Sequence, residues 1–155
     1  IKRDVLSESG SRRHGLRRAV FRLQPPRMAE LRFLDWLRER LFHAAEPAIA
    51  VTLWRGWRPV RQMLVTRELV GAAPLGEAWA SAQPAERDAW AEEIGRELGR
   101  MHALRFLHAD LYPRNLLVTA AAEDDPGPGE VNSGYGRRVA WIDAWAGGPT
   151  AWRHG

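Results

Sequence analysis

An α+β fold in two lobes is the architecture the sequence predicts, and three observations predict it. Helical and strand-like patterns succeed one another without an internal repeat over 155 residues, a length that suits one domain or part of one. A turn signal at Gly56-Trp57-Arg58-Pro59 joins two strand patterns that follow a helix, as in an antiparallel pair. Val70-Gly71 then breaks the chain, and beyond it a long helix leads into a polar loop between two short apolar runs. Residues 1–69 read as a small lobe of strand, helix, two strands and a hinge. Residues 70–155 read as part of a larger lobe.

Each element has its own signal. Residues 1–5 resemble the end of a strand, and residues 7–15, rich in Ser, Gly and Arg, read as a loop. Pro25-Pro26 opens a helix, because Pro is tolerated at a helix start and not inside it. That helix is expected over about Arg27 to Ala45, with Leu34, Leu37 and Leu41 as its apolar stripe. Glu30 falls on the same stripe. A carboxylate facing a core needs a cationic or hydrogen-bonding partner; the alternative is a place in the first turn, where the helix dipole favours negative charge. Ala48 to Trp54 and Val60 to Leu69 read as the paired strands. Pro74 to Ala82 reads as a short helix or irregular segment. Pro84 opens a helix reaching about Leu104, with Ile94, Leu98 and Met101 on one face and Trp90 and Leu104 near it. Strands are expected at Leu116–Thr119 and Arg138–Ile142. The Pro/Gly-rich stretch between them reads as a surface loop, and Gly147-Gly148-Pro149 as the start of an irregular segment.

Composition narrows the function. The hydrophobic fraction is 45% and the charged fraction 27%, which suits a globular core. The absence of Cys excludes disulfides and Cys-ligated zinc and fits a cytoplasmic setting. No apolar run approaches the roughly 18–20 residues of a membrane span, and no secretory signal is visible. The chain starts at Ile1 and is read as a piece of a longer reading frame. Net charge is +4. The Arg residues are scattered, with no zinc finger, basic zipper or aromatic RNA motif, so nucleic acid is not the expected partner. An anionic lipid or sugar-phosphate surface fits the charge at least as well. Of the 23 basic residues only Lys2 is a lysine, a compact point charge where all others are planar forks.

The chemistry concentrates in Leu107-His108-Ala109-Asp110-Leu111-Tyr112-Pro113-Arg114-Asn115-Leu116-Leu117-Val118. Apolar flanks would hold its polar residues on a rigid loop. Asn115 follows Asp110 by five, and Asp143 ends a later apolar strand. With Lys2 on a strand and Glu30 on the next helix, these parts stand in the order of the kinase fold. In that reading Lys2 holds the α- and β-phosphates of ATP and Glu30 fixes Lys2. Asp110 orients the acceptor hydroxyl, and Asn115 and Asp143 supply hard oxygen ligands suited to Mg²⁺. His108 is expected to hold the loop through a backbone hydrogen bond.

At these residues the sequence resembles the lipopolysaccharide core kinases, the heptose and Kdo kinases of Gram-negative envelopes. His108 to Val118 and Trp141-Ile142-Asp143 carry the likeness to their catalytic loop and metal-binding strand end. Ile1-Lys2-Arg3 resembles their lysine strand, Glu30-Leu31-Arg32-Phe33-Leu34 their paired-glutamate helix, and Val65-Thr66-Arg67-Glu68-Leu69 their hinge. The resemblance implies a protein-kinase-like two-lobe fold, truncated at the glycine-rich-loop end and at the C-terminal end. It implies ATP and Mg²⁺ as cofactors, nucleotide contacts at Lys2, Glu30, Glu68 and Leu69, and metal contacts at Asn115 and Asp143. It implies a lipopolysaccharide inner-core sugar as acceptor, at the cytoplasmic face of the inner membrane. Three departures stand out. Ala109 replaces the arginine that reads a phosphorylated activation loop in protein kinases, Ala144-Trp145 replaces Phe-Gly after the metal-binding aspartate, and no glycine-rich loop precedes Lys2. Rival readings are a RIO-type atypical protein kinase, a small-molecule kinase of the aminoglycoside or choline type, and a catalytically impaired kinase-like binding module. Trp79, Trp145 and Trp152 are candidates for an acceptor or lipid-facing surface. No oligomeric state can be read from the sequence.

Overall fold

The computed structural model describes residues 1–21, 24–108, 110–120, 137–142 and 148–149. Its first layer is an antiparallel sheet of β1 (Lys2–Val5), β2 (Pro47–Arg55) and β3 (Arg58–Thr66), with β3 in the middle. Gly56, at φ +60°, makes the tight β2–β3 turn in a conformation L side chains rarely adopt. Alternation along β1 sets two faces. Lys2 and Asp4 are half-buried, whereas Arg3 and Val5 are exposed. β3 ends at Thr66 and not at Leu69, so Arg67, Glu68 and Leu69 belong to the connection that follows.

Residues 7–15 are not a loop. They form most of helix α1 (Glu8–Phe21). The Ser and Gly that suggested a loop serve the helix instead. The Ser7 hydroxyl accepts the Gly10 N–H at 3.2 Å, as an N-cap does. Glu8 pairs with Arg12 one turn on. Gly15 lets the helix approach Trp57, where an added Cβ would lie 2.9 Å from the Trp57 carbonyl oxygen.

Helix α2 (Pro26–Glu39) begins where Pro25-Pro26 predicts and ends short of the expected Ala45. Its Arg27 N–H is taken by the Gln62 side chain on β3 at 2.9 Å, which ties the helix start to the sheet. Leu34 and Leu37 are buried as expected, but Leu41 is 59% exposed, at φ +62°. The reason lies far along the chain. Residues 43–45 leave the helix to run beside Trp141: the Trp141 N–H donates to the His43 carbonyl (2.8 Å) and the Ala45 N–H to the Trp141 carbonyl (3.0 Å).

A second antiparallel sheet has β6 (Leu116–Ala120) between β4 (Ala73–Pro74) and β7 (Arg137–Trp141). Helices α3 (Leu75–Ser81) and α4 (Pro84–Ala103) precede β6. α4 opens with a reciprocal capping box between Gln83 and Glu86. Trp90 and Met101 are buried, and Ile94 and Leu98 pack against the core. Leu104 does not join them; it lies past the helix end and is exposed. Gly148-Pro149, expected to be irregular, forms the short strand β8, antiparallel to β5 (Phe106–Leu107). One buried cluster runs from Leu34 and Leu37 of α2 through Leu64 to Trp90, Phe106, Leu116, Val139 and Trp141. Among the described residues no helix is long and apolar enough to cross a membrane.

Candidate active site

Two polar clusters stand on this frame. The first follows from the alternation of β1 and the start of α2. Lys2 Nζ donates to Glu30 Oε1 at 2.6 Å, and Glu30 has no solvent exposure. Arg27, one turn earlier on α2, pairs with Glu30 Oε2 and also with Asp4. Glu30 lies beyond the first turn of α2, which contains no acidic residue. The core-facing reading therefore holds over the helix-dipole one. Lys2, Glu30, Arg27 and Asp4 alternate in sign, so both oxygens of the fully buried carboxylate meet a cationic side chain. Burial alone would lower the Arg27 pKa; hydrogen bonds and charge from Asp4 and Glu30 outweigh it and hold the value above its usual range. Sequence reasoning missed Arg27, although its place three residues before Glu30 is the spacing at which helical side chains meet.

The second cluster is the loop after α4. Pro113–Asn115 forms a single 3-10 turn that brings Asn115 back to Asp110. The Asn115 Nδ2 group donates to the Asp110 carbonyl at 2.7 Å and to Asp110 Oδ2 at 3.1 Å. Both amide protons thus have acceptors, which assigns the amide and leaves Oδ1 as the acceptor atom. Arg114 Nη2 lies 3.6 Å from Asp110 Oδ1, with its guanidinium over the Tyr112 ring. One bond closes the loop on itself and one fastens it to the chain after β7. Tyr112 N–H donates to the Asp110 carbonyl (3.1 Å), and Ile142 N–H donates to the Asn115 carbonyl (3.0 Å). The His108 ring packs against Trp141, with centroids 5.6 Å apart.

The structure brings Lys2 to Glu30 and Asp110 to Asn115. Glu68 and Leu69 lie in the β3–β4 connection, and the Leu69 carbonyl accepts the Ala72 N–H at 3.1 Å. Among the described residues no hydrogen bond joins Glu68 or Leu69 to either cluster. Asp143 lies outside the described residues, as do Ala109, Ala144, Trp145, Trp152 and residues 121–136 of the stretch expected as a surface loop, whose first residue, Ala120, ends β6. Trp79 is partly exposed, its ring near that of buried Trp90. Among the described residues no three His, Asp or Glu side chains group as a metal cluster.

Comparison with known proteins bears on this arrangement. The profile of the lipopolysaccharide kinase (Kdo/WaaP) family matches residues 11–127. The chain belongs to that family. The match takes in Glu30, Glu68, Leu69, Asp110 and Asn115 and leaves Lys2 and Asp143 outside it. No curated protein matches the chain. Among solved structures, "WaaP in complex with acyl carrier protein" aligns with a TM-score of 0.51 at 21% identity, over 77% of this chain and 53% of that one. The chain thus shares that fold and spans about half the length of that protein. A mixed helix-and-sheet fold of this kind agrees with the α+β expectation.

Proposed function

We propose that this Kdo/WaaP-family chain carries the phosphotransfer site of an ATP-dependent kinase acting on a sugar hydroxyl of the lipopolysaccharide inner core. The observation that carries the reading is the Asp110–Asn115 pair, held by two hydrogen bonds on a loop that Ile142, the residue after β7, fastens. In the reaction the acceptor hydroxyl oxygen bonds to the γ-phosphorus of ATP as the bridging P–O bond breaks and ADP departs. The Asp110 carboxylate orients the hydroxyl and takes its proton. Asn115 Oδ1, its amide protons already committed to Asp110, is a hard oxygen donor that fits Mg²⁺, and Asp143 is the proposed second ligand. Mg²⁺ would supply charge stabilisation at the transferred phosphoryl group. Lys2, positioned by Glu30, is a point charge for the α- and β-phosphates, and the Glu68–Leu69 connection borders the nucleotide. Residues 1–69 and 70–155 act as the two lobes around it. The acceptor is a membrane glycolipid, so the protein works at the cytoplasmic face of the inner membrane.

The test extends the chain with the residues encoded upstream of Ile1 and measures phosphate transfer to inner-core acceptors. Asp110→Asn should lower turnover by about 10²–10⁴-fold and leave nucleotide affinity within a few-fold. Unchanged turnover in that variant removes Asp110 from the chemistry. Phosphate transfer to protein or aminoglycoside acceptors, with none to inner-core sugars, overturns the acceptor class.

A further inference from the structure

Helix α1 has no part in the site described above, yet it carries a dense positive charge. Arg12, Arg13, Arg17 and Arg18 lie within two turns of it. Two of them have partners: Arg12 pairs with Glu8, and Arg18 stacks over the Trp54 ring, 4.3 Å from its centroid. Arg13 and Arg17 are exposed and, among the described residues, meet no carboxylate. They stand four apart, a spacing at which like charges repel on a helix. Both line a cavity of about 330 Å³ between α1 and the start of α2, together with Gly10, His14, Pro26 and Arg27.

Three features give that cavity an anionic preference. Its lining includes Arg13 and Arg17, neither paired with a carboxylate, beside an Arg27 already paired with Glu30 and Asp4, and among the described residues no acidic residue lines it. It borders the first turn of α2, a fourteen-residue helix whose first turn is free of acidic residues; Pro26 has no N–H there and the Arg27 N–H is bonded to Gln62, so the helix contributes through its dipole. The positive end of that helix dipole adds to the Arg charges. Thirdly, burial, followed by the charges of Arg13 and Arg17, holds His14 below its ordinary pKa, as expected where positive charge is left without a counter-ion.

We propose that this cavity is a binding site for a phosphate monoester, clasped by Arg13 and Arg17 with the first turn of α2 behind it. A tetrahedral dianion suits two guanidinium forks better than a single carboxylate does. The ligand's phosphate is either on a soluble molecule or on a lipid headgroup. The proposal stands apart from the phosphotransfer reading, since it uses neither Lys2 nor Asp110.

The test measures binding of inorganic phosphate to the whole chain by equilibrium dialysis at constant ionic strength. Binding should be saturable. The double substitution Arg13→Gln with Arg17→Gln should weaken it by at least about tenfold. Gln is a good helix former on an exposed surface, so the fold should persist. Arg12→Gln, which removes one charge from the same helix outside the cavity, should leave the affinity unchanged. So should Arg114→Gln, which tests for phosphate held at the Asp110 loop. A second arm uses phosphatidylcholine vesicles containing either phosphatidic acid, a monoester, or phosphatidylglycerol, a diester, at matched surface charge. Retention only on the monoester vesicles, lost in the double variant, identifies a lipid headgroup as the source. Phosphate binding without vesicle retention identifies a soluble ligand. No saturable phosphate binding, or an equal loss with Arg12→Gln or Arg114→Gln, overturns the site.

Discussion

A carboxylate with no solvent exposure is stable only while its charge is matched, and Glu30 is matched twice, by Lys2 and by Arg27. The two cations are not equivalent. Arg27 is shared with Asp4, so it stays neutralised if Glu30 is lost. Lys2 has Glu30 as its hydrogen-bonded carboxylate and is more exposed than Arg27. Glu30→Ala should therefore destabilise the chain by about 3 kcal/mol, the lower end of the range for breaking a buried pair, because Lys2 regains water. Urea unfolding checks this. A loss under about 1 kcal/mol would mean that the pair behaves as a surface salt bridge. This residue-level pairing was legible in the sequence. A carboxylate on an apolar stripe demands a cation, and Lys2 is the only lysine in the chain. Arg27 carries no such mark, because Arg stands at every other basic position in the chain.

At the scale of elements, α4 and β7 are joined by a half-buried carboxylate. The Glu93 side chain accepts the Val139 N–H at 3.2 Å. Burial raises its pKa, and Glu97 adds to the rise; the Val139 hydrogen bond, Arg96 and Arg138 oppose it. The folded value lies above the unfolded value near 4.5, so the folded chain binds the proton more readily. The stability from this group is complete below that unfolded value and is lost as pH rises through the folded one. Glu93→Gln keeps an oxygen for Val139 without the charge. It should match the unaltered chain at about pH 4 and unfold at a higher temperature at about pH 8. Thermal unfolding across that range checks the sign; a lower melting temperature at the alkaline end refutes it. α1 gives the opposite lesson about glycine. Gly15→Ala gains helix propensity of about 1 kcal/mol, but the new Cβ meets the Trp57 carbonyl oxygen at 2.9 Å. The variant should be less stable in spite of its propensity, which chemical denaturation would show. Residues 7–15 look like a loop from sequence because Ser and Gly are loop signals; Ser7 instead caps the helix locally, and Gly15 is explained only by the approach of Trp57. The end of α2 was misjudged for a similar reason, since what stops it is pairing with Trp141, a hundred residues further along.

Across the whole molecule, the two halves read from the sequence share an aromatic seam. Phe106, just before the Asp110 loop, stacks on Trp36 of α2 with centroids 4.6 Å apart and an interplanar angle of 19°. Phe33 meets it edge-on at 6.2 Å, and Phe42 extends the stack beyond Trp36. Arg100 of α4 caps the seam, its guanidinium over Phe42 and its Nη2 bonded to the Arg40 carbonyl at 3.1 Å. The helix that carries Glu30 is thus packed directly against the strand that leads to Asp110. A site split between two such elements keeps its geometry only while the seam holds. Trp36→Ala and Phe106→Ala should each cost about 3–5 kcal/mol as large-to-small core substitutions. Their sum cannot be additive, because each removes the partner of the other. The double-mutant cycle should show a coupling of about 0.5–1.5 kcal/mol, the worth of the ring pair beyond its buried area. A milder variant, Trp36→Phe, retains an aromatic face and should keep most of the stability. If that variant preserves the fold but lowers phosphate transfer in the extended protein, the seam positions the two clusters. A coupling of zero would mean that α2 and the Asp110 loop are held together elsewhere, through the Trp141 backbone bonds to residues 43–45.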